Sequence, residues 1–79
     1  MNLEIIAPDK KLFKGTVKLV QVPGSKGSFE ILKDHAPIIS TLEKGRIKIM
    51  ETDKTEPIFF EINGGVIEVK KNEIIILAK

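Results

Sequence analysis

The 79-residue chain is long enough for one small domain and no more. Its 42% hydrophobic and 30% charged residues belong to a folded globular chain. A formal net charge of +2, spread over scattered lysines and one arginine with no Trp or Tyr for stacking, argues against nucleic-acid binding. The absence of cysteine excludes a disulfide or a thiolate metal site and fits a reducing compartment, and no apolar run approaches the length of a membrane span.

The opening "MNLEIIAPDKK" alternates as a strand does, with Leu3, Ile5 and Ala7 on one face, and lacks the basic-then-apolar layout of a secretion signal. "TVKLVQV" alternates less cleanly, setting Val17 and Leu19 opposite Val20 and Val22. Pro23-Gly24 suits a type II turn, since proline fixes φ at the first corner and glycine supplies φ > 0 at the second. "DHAPIISTLEKG", residues 34 to 45, can be framed as a helix capped by Asp34 and Gly45, but its isoleucines and threonine favour an extended segment ending at Gly45. "RIKIM" points Ile47 and Ile49 one way and Arg46 and Lys48 the other.

"TDKTEP", residues 52 to 57, is a polar connection. "IFFEI" aligns Ile58, Phe60 and Ile62, and "VIEV" aligns Ile67 and Val69. Asn63-Gly64, followed by Gly65, lies between these runs and is the strongest hairpin signal in the chain. Glu61 and Glu68 then flank that hairpin on its solvent face, where like charges need no special chemistry. "KKNE", residues 70 to 73, makes a second tight hairpin into "IIIL", which is apolar on both faces and therefore central in the fold or covered by a partner. About seven to ten short, mostly antiparallel strands with no substantial helix describe a small all-β sandwich occupying residues 1–79.

Tests for chemistry come out negative. Gly24 and Gly27 bracket Lys26 after a strand, but a phosphate loop needs wider glycine spacing and a helix to follow, and "SFEIL" continues as strand. His35 is the only histidine; no second ligand stands at metal spacing, and Asp34 beside it points to the opposite face in an extended chain. Residues 48 to 67, "KIMETDKTEPIFFEINGGVI", resemble the lipoyl-carrier signature, in which E-T-D-K at a tight hairpin presents a lysine, here Lys54. That likeness covers a short stretch placed late in the chain, and the first half lacks the glycine-spaced hairpins of that family.

A second resemblance runs from Leu3 to Ala78, with its pieces in order. "LEIIAPDKKLFKGTVKLVQVPGSKG" carries P-x-x-x-x-F-x-G and V-x-x-V-x-V-P-G. "GSFEILKDHAPIISTLEKGRIKI" follows G-x-x-G-I-L-x-x-H-A-P-x-x-x-x-L-x-x-G, and "FFEINGGVIEVKKNEIIILA" supplies a Gly-Gly step, V-x-E-V and a final strand ending in L-A. The chain thus resembles the N-terminal β-sandwich of the epsilon subunit of F-type ATP synthases. Glu30 stands at the second glycine of the signature, and Lys33-Asp34 replaces a common Pro-Gly before the histidine.

The resemblance implies a non-catalytic rotor component that binds the gamma subunit and the loops of the c-ring, with no cofactor, no metal and no nucleic acid. It places the protein peripherally at the cytoplasmic face of a bacterial inner membrane. Lys26, Ser28, Glu30 and His35 are expected at the c-ring, and Ala36, Ile38 and Leu42 at gamma. Pro23, Gly24, Gly27, Gly45, Asn63, Gly64 and Gly65 are expected to shape turns. Many members carry a helical hairpin after the sandwich that inhibits hydrolysis and, in some, binds ATP. The chain ends before any such segment, so neither helix-mediated inhibition nor an ATP site is expected of it.

Overall fold

Alternating β-branched residues separated by short polar turns leave few options other than sheet. A computed structural model describing residues 1–79 shows six strands. They are β1 (Asn2–Ala7), β2 (Lys10–Gly24), β3 (Gly27–Ile31), β4 (Ile38–Glu51), β5 (Ile58–Lys70) and β6 (Glu73–Ala78). They form one sheet in the order β1-β6-β5-β4-β2-β3, which closes on itself because β1 also pairs with β2. The result is a barrel-like sandwich in which only the β1–β6 pairing is parallel.

The strands are fewer and longer than the expected seven to ten, because three of them run through positions that look like breaks in the sequence. In β2, residues up to Thr16 pair with β1, and residues from Val17 pair with β4. The register slips between Val17 and Leu19 at this handover. That bulge reverses the side-chain alternation, so Val17 joins Val20 and Val22 in the core and Leu19 is left half-buried. The plain alternation expected there is therefore corrected.

Asn63-Gly64 makes no hairpin either, since β5 continues straight through it. Gly64 and Gly65, at φ of 115° and 152°, instead let the strand reverse its phase, with Ile62 inward before them and Ile67 and Val69 inward after them. Glu61 and Glu68 thus lie along one strand rather than facing each other across a turn. Gly45 is likewise inside β4, paired with Ile62 and packed over Pro23. Pro23 and Gly24 end β2, and the two-residue turn is Ser25-Lys26, closed by the Gly24–Gly27 pair with Gly27 at φ 124°. Two expectations hold in detail: residues 34 to 45 are extended beyond the loop, and Lys71-Asn72 makes a tight hairpin with both φ positive, at 47° and 63°.

The core is wholly apolar. Leu3 and Ile5 from β1, Val20 and Ile31, Ile47 and Ile49, Ile67 and Val69, and Ile74 and Ile76 meet inside. No polar or charged residue is buried, and no buried side-chain nitrogen or oxygen lacks a hydrogen-bond partner. Phe13 and Phe60 pack edge to face at 6.0 Å beside it.

Candidate partner-binding surface

A strand in a closed sheet needs one apolar face, and β6 has two. Ile74, Ile76 and Ala78 fill the core, whereas Ile75 and Leu77 point outward, 39% and 53% exposed. The register sets them beside apolar neighbours. Leu77 lies opposite Val66 of β5, which is 37% exposed. Ile75 lies opposite Glu68, and Glu68 opposite Ile39 of β4, which is 72% exposed. Ile39, Val66, Glu68, Ile75 and Leu77 together line one shallow hollow across three strands. Four outward aliphatic side chains in one patch make the contiguous apolar surface of this small domain a candidate interaction site.

The phase reversals explain why the patch exists. Gly64 and Gly65 put Val66 on the outside, and β4 reverses as well, exposing both Glu43 and Lys44 between inward Leu42 and inward Ile47.

The β2–β3 hairpin leans against the same region. Ser25 Oγ and Thr41 Oγ1 share a hydrogen bond at 2.8 Å, and the Ser25 amide donates to the Thr41 carbonyl at 3.1 Å. Lys26 and Ser28 are exposed there and border a hollow with Ile39, Ser40 and Thr41. Ser28 Oγ accepts from Gln21 Nε2 at 3.2 Å, and Glu30, further along β3, is exposed on an ordinary extended backbone. His35 sits apart, in the loop before β4, where its Nδ1–H donates to the Ala36 carbonyl at 2.7 Å. That loop is tied to the Lys71-Asn72 turn by the Asp34 amide, which donates to Asn72 Oδ1 at 3.1 Å. Asp34 has φ 65°, the left-handed conformation that glycine, usual before this histidine in the family it resembles, adopts freely.

Of the residues expected to touch gamma, Ala36 is exposed, but Leu42 is only 5% exposed and Ile38 packs against the core. Neither Leu42 nor Ile38 points into the apolar patch. The outward residue of the Ile38-Ile39 pair is Ile39, a phase that two adjacent isoleucines leave open. Ile75 and Leu77 were signalled by the two-sided apolarity of "IIIL", whereas Val66 was hidden by the Gly-Gly step.

The whole of residues 1–79 matches the family described as ATP synthase, Delta/Epsilon chain, beta-sandwich domain. The chain belongs to that family. It is 44% identical over 77 residues to the ATP synthase epsilon chain of Leptospira borgpetersenii serovar Hardjo-bovis, covering 98% of this chain and 59% of that one. It is 40% identical over 78 residues to the epsilon chain of Chlorobium limicola, covering 99% of this chain and 88% of that one. The fold matches chains in two mitochondrial ATP synthase structures. One, from Tetrahymena thermophila, shows the central stalk and c-ring, with a TM-score of 0.81, 21% identity and coverage of 99% of this chain and 62% of that one. The other, from Euglena gracilis, shows OSCP, F1 and the c-ring in one rotational state, with a TM-score of 0.89, 17% identity and coverage of 96% and 48%.

This family assignment accounts for the chain from end to end and leaves no independent support for a lipoyl carrier. Lys54 lies in a six-residue loop between β4 and β5, residues 52 to 57, not at the tip of a tight hairpin.

Proposed function

We propose that the chain is a non-catalytic rotor subunit of an F-type ATP synthase. Its outer sheet face binds the gamma subunit, and its polar loops meet the c-ring, so that ion-driven rotation is passed on to ATP synthesis. The observation that supports this most directly is the patch of Ile39, Val66, Ile75 and Leu77 on a domain of the epsilon family. A stable interface takes about 800 Å² from each partner, roughly a sixth of this domain's 5154 Å² surface. A face three strands wide is suited to that size.

A component that transmits torque must not shear, and a closed sheet with its hydrogen bonds satisfied within itself resists shear better than an open one. The Ser25-Lys26 turn with Ser28 and Glu30, together with the His35 loop, supplies polar contacts for the c-ring. No helix of the protein is long and apolar enough to cross a membrane. In this reading attachment to the cytoplasmic face runs through gamma and the c-ring.

Mixing the protein with the gamma subunit from the same source, followed by size-exclusion chromatography and calorimetry, tests the proposal. The expected result is a one-to-one complex with a Kd below about 10 μM, weakened at least about tenfold by Leu77→Asp while the fold is retained. Absence of a complex at tens of micromolar, on the order of −6 kcal/mol of binding, overturns the proposal.

A further inference from the structure

We infer that Glu68 is the specificity-determining charge of the apolar patch, and that the partner covering the patch offers it a lysine or arginine set among apolar side chains. This rests on the docking role proposed above and adds the chemistry of what docks. Glu68 is the only polar side chain lining the hollow, flanked by Ile39 on one neighbouring strand and Ile75 on the other. It has no ion-pair partner; the one salt bridge of the molecule joins Lys11 and Glu4. Lys70, two residues along on the same face, stands opposite Glu73.

A carboxylate in water tolerates this position, but one covered by a partner does not. Desolvating it without a counter-charge costs several kcal/mol, enough to cancel much of the gain from burying its aliphatic neighbours. Either the partner avoids Glu68 and forfeits the patch around it, or the partner neutralises it. The second course makes the carboxylate select its partner, because an uncharged or acidic surface of the same shape is rejected.

The same geometry argues against a second copy of this chain as the occupant. A two-fold contact centred on the patch sets each Glu68 against its own equivalent, and like charges in a dry contact repel.

Calorimetry against the gamma subunit decides the matter, using wild type, Glu68→Gln, Glu68→Lys and the control Glu61→Gln, which lies outside the patch on the same strand. Glu68 is exposed in the free protein, so all four are expected to melt alike. Glu68→Gln is expected to weaken binding at least about tenfold and Glu68→Lys at least about a hundredfold, with Glu61→Gln within about twofold of wild type. Wild-type affinity is expected to fall between about 50 mM and 500 mM salt more steeply than that of Glu68→Gln.

If wild type binds gamma and Glu68→Gln binds as tightly or more tightly, this inference falls while the docking role stands. If wild type does not bind gamma, both fall. Sedimentation of the free chain supplies the remaining check: a wild-type dimer broken by Leu77→Asp and tightened by Glu68→Gln makes the occupant a second copy and overturns the inference.

Discussion

At the scale of single residues, the backbone of β5 makes the sharpest demand. A Cβ added at Gly65 collides with the Leu77 carbonyl oxygen, while one added at Gly27 meets nothing within 4 Å. Both glycines have φ in the region that L residues avoid, at 152° and 124°. Gly27→Ala is therefore expected to cost about 1–3 kcal/mol from backbone strain alone. Gly65→Ala is expected to cost roughly 2 kcal/mol more, because the β5–β6 pairing must also yield. Urea unfolding of the two variants gives the comparison, and equal midpoints mean that the Leu77 contact relaxes at no cost. A second residue-scale expectation concerns Glu4, whose carboxyl is held below the usual glutamate value by a hydrogen bond from Lys11, 2.9 Å away, and by that lysine's charge. A depressed folded-state pKa stabilises the protein above the unfolded value, about 4.3, and that stabilisation is lost as pH falls through the folded value. The pair faces solvent, so the effect on stability is small. Lys11→Met is expected to raise the Glu4 pKa in a carbon-detected NMR titration, and an unmoved pKa means that the pair does not persist in solution.

The elements show what was legible in the chain and why the rest was not. Alternation placed Leu3 and Ile5, Ile47 and Ile49, and Ile67 and Val69 in the core because each run is short and unbroken. Turn chemistry located Lys71-Asn72 for a similarly local reason, since positive φ at both corners leaves the strands paired directly on either side. What misled was the assumption that a glycine pair between strand-like runs turns the chain around. At Gly64-Gly65 both neighbours of β5 are already in place, with Leu42 of β4 paired to Gly65 on one side and Ala78 of β6 on the other. Reversal is impossible there, and the glycines serve close approach and a change of face instead. That information lies in long-range pairing, which no local window contains. The apolar patch suffered the same limit: the outward side chains of "IIIL" were visible, but Ile39 and Val66 join them only through register. The bulge near Lys18 is a third case, because the slip that brings Val17 inward follows from β2 exchanging β1 for β4.

For the whole molecule, closure through β1 governs how stability is shared. β1 is six residues long, yet it pairs with β2 on one edge and β6 on the other, joining sequence-distant ends of the chain into one hydrogen-bonded ring. β3 pairs with β2 alone and leaves its second edge free. A domain of this size has roughly 4–12 kcal/mol of stability, so one core defect in the closing strand consumes a large share of it. Ile5 is fully buried, and Ile5→Ala is expected to cost about 2–4 kcal/mol through lost burial and the cavity left behind. If closure makes the ring one cooperative unit, that loss appears equally in hydrogen exchange of amides in β1, β6 and β5, which then open only by global unfolding. Amides of β3 exchange faster in wild type and change little on substitution, because they open locally. Loss of protection confined to β1 is the contrary result: it shows that β6 and β5 hold together without the closing strand, and that the outer face proposed for docking does not depend on the ring being shut.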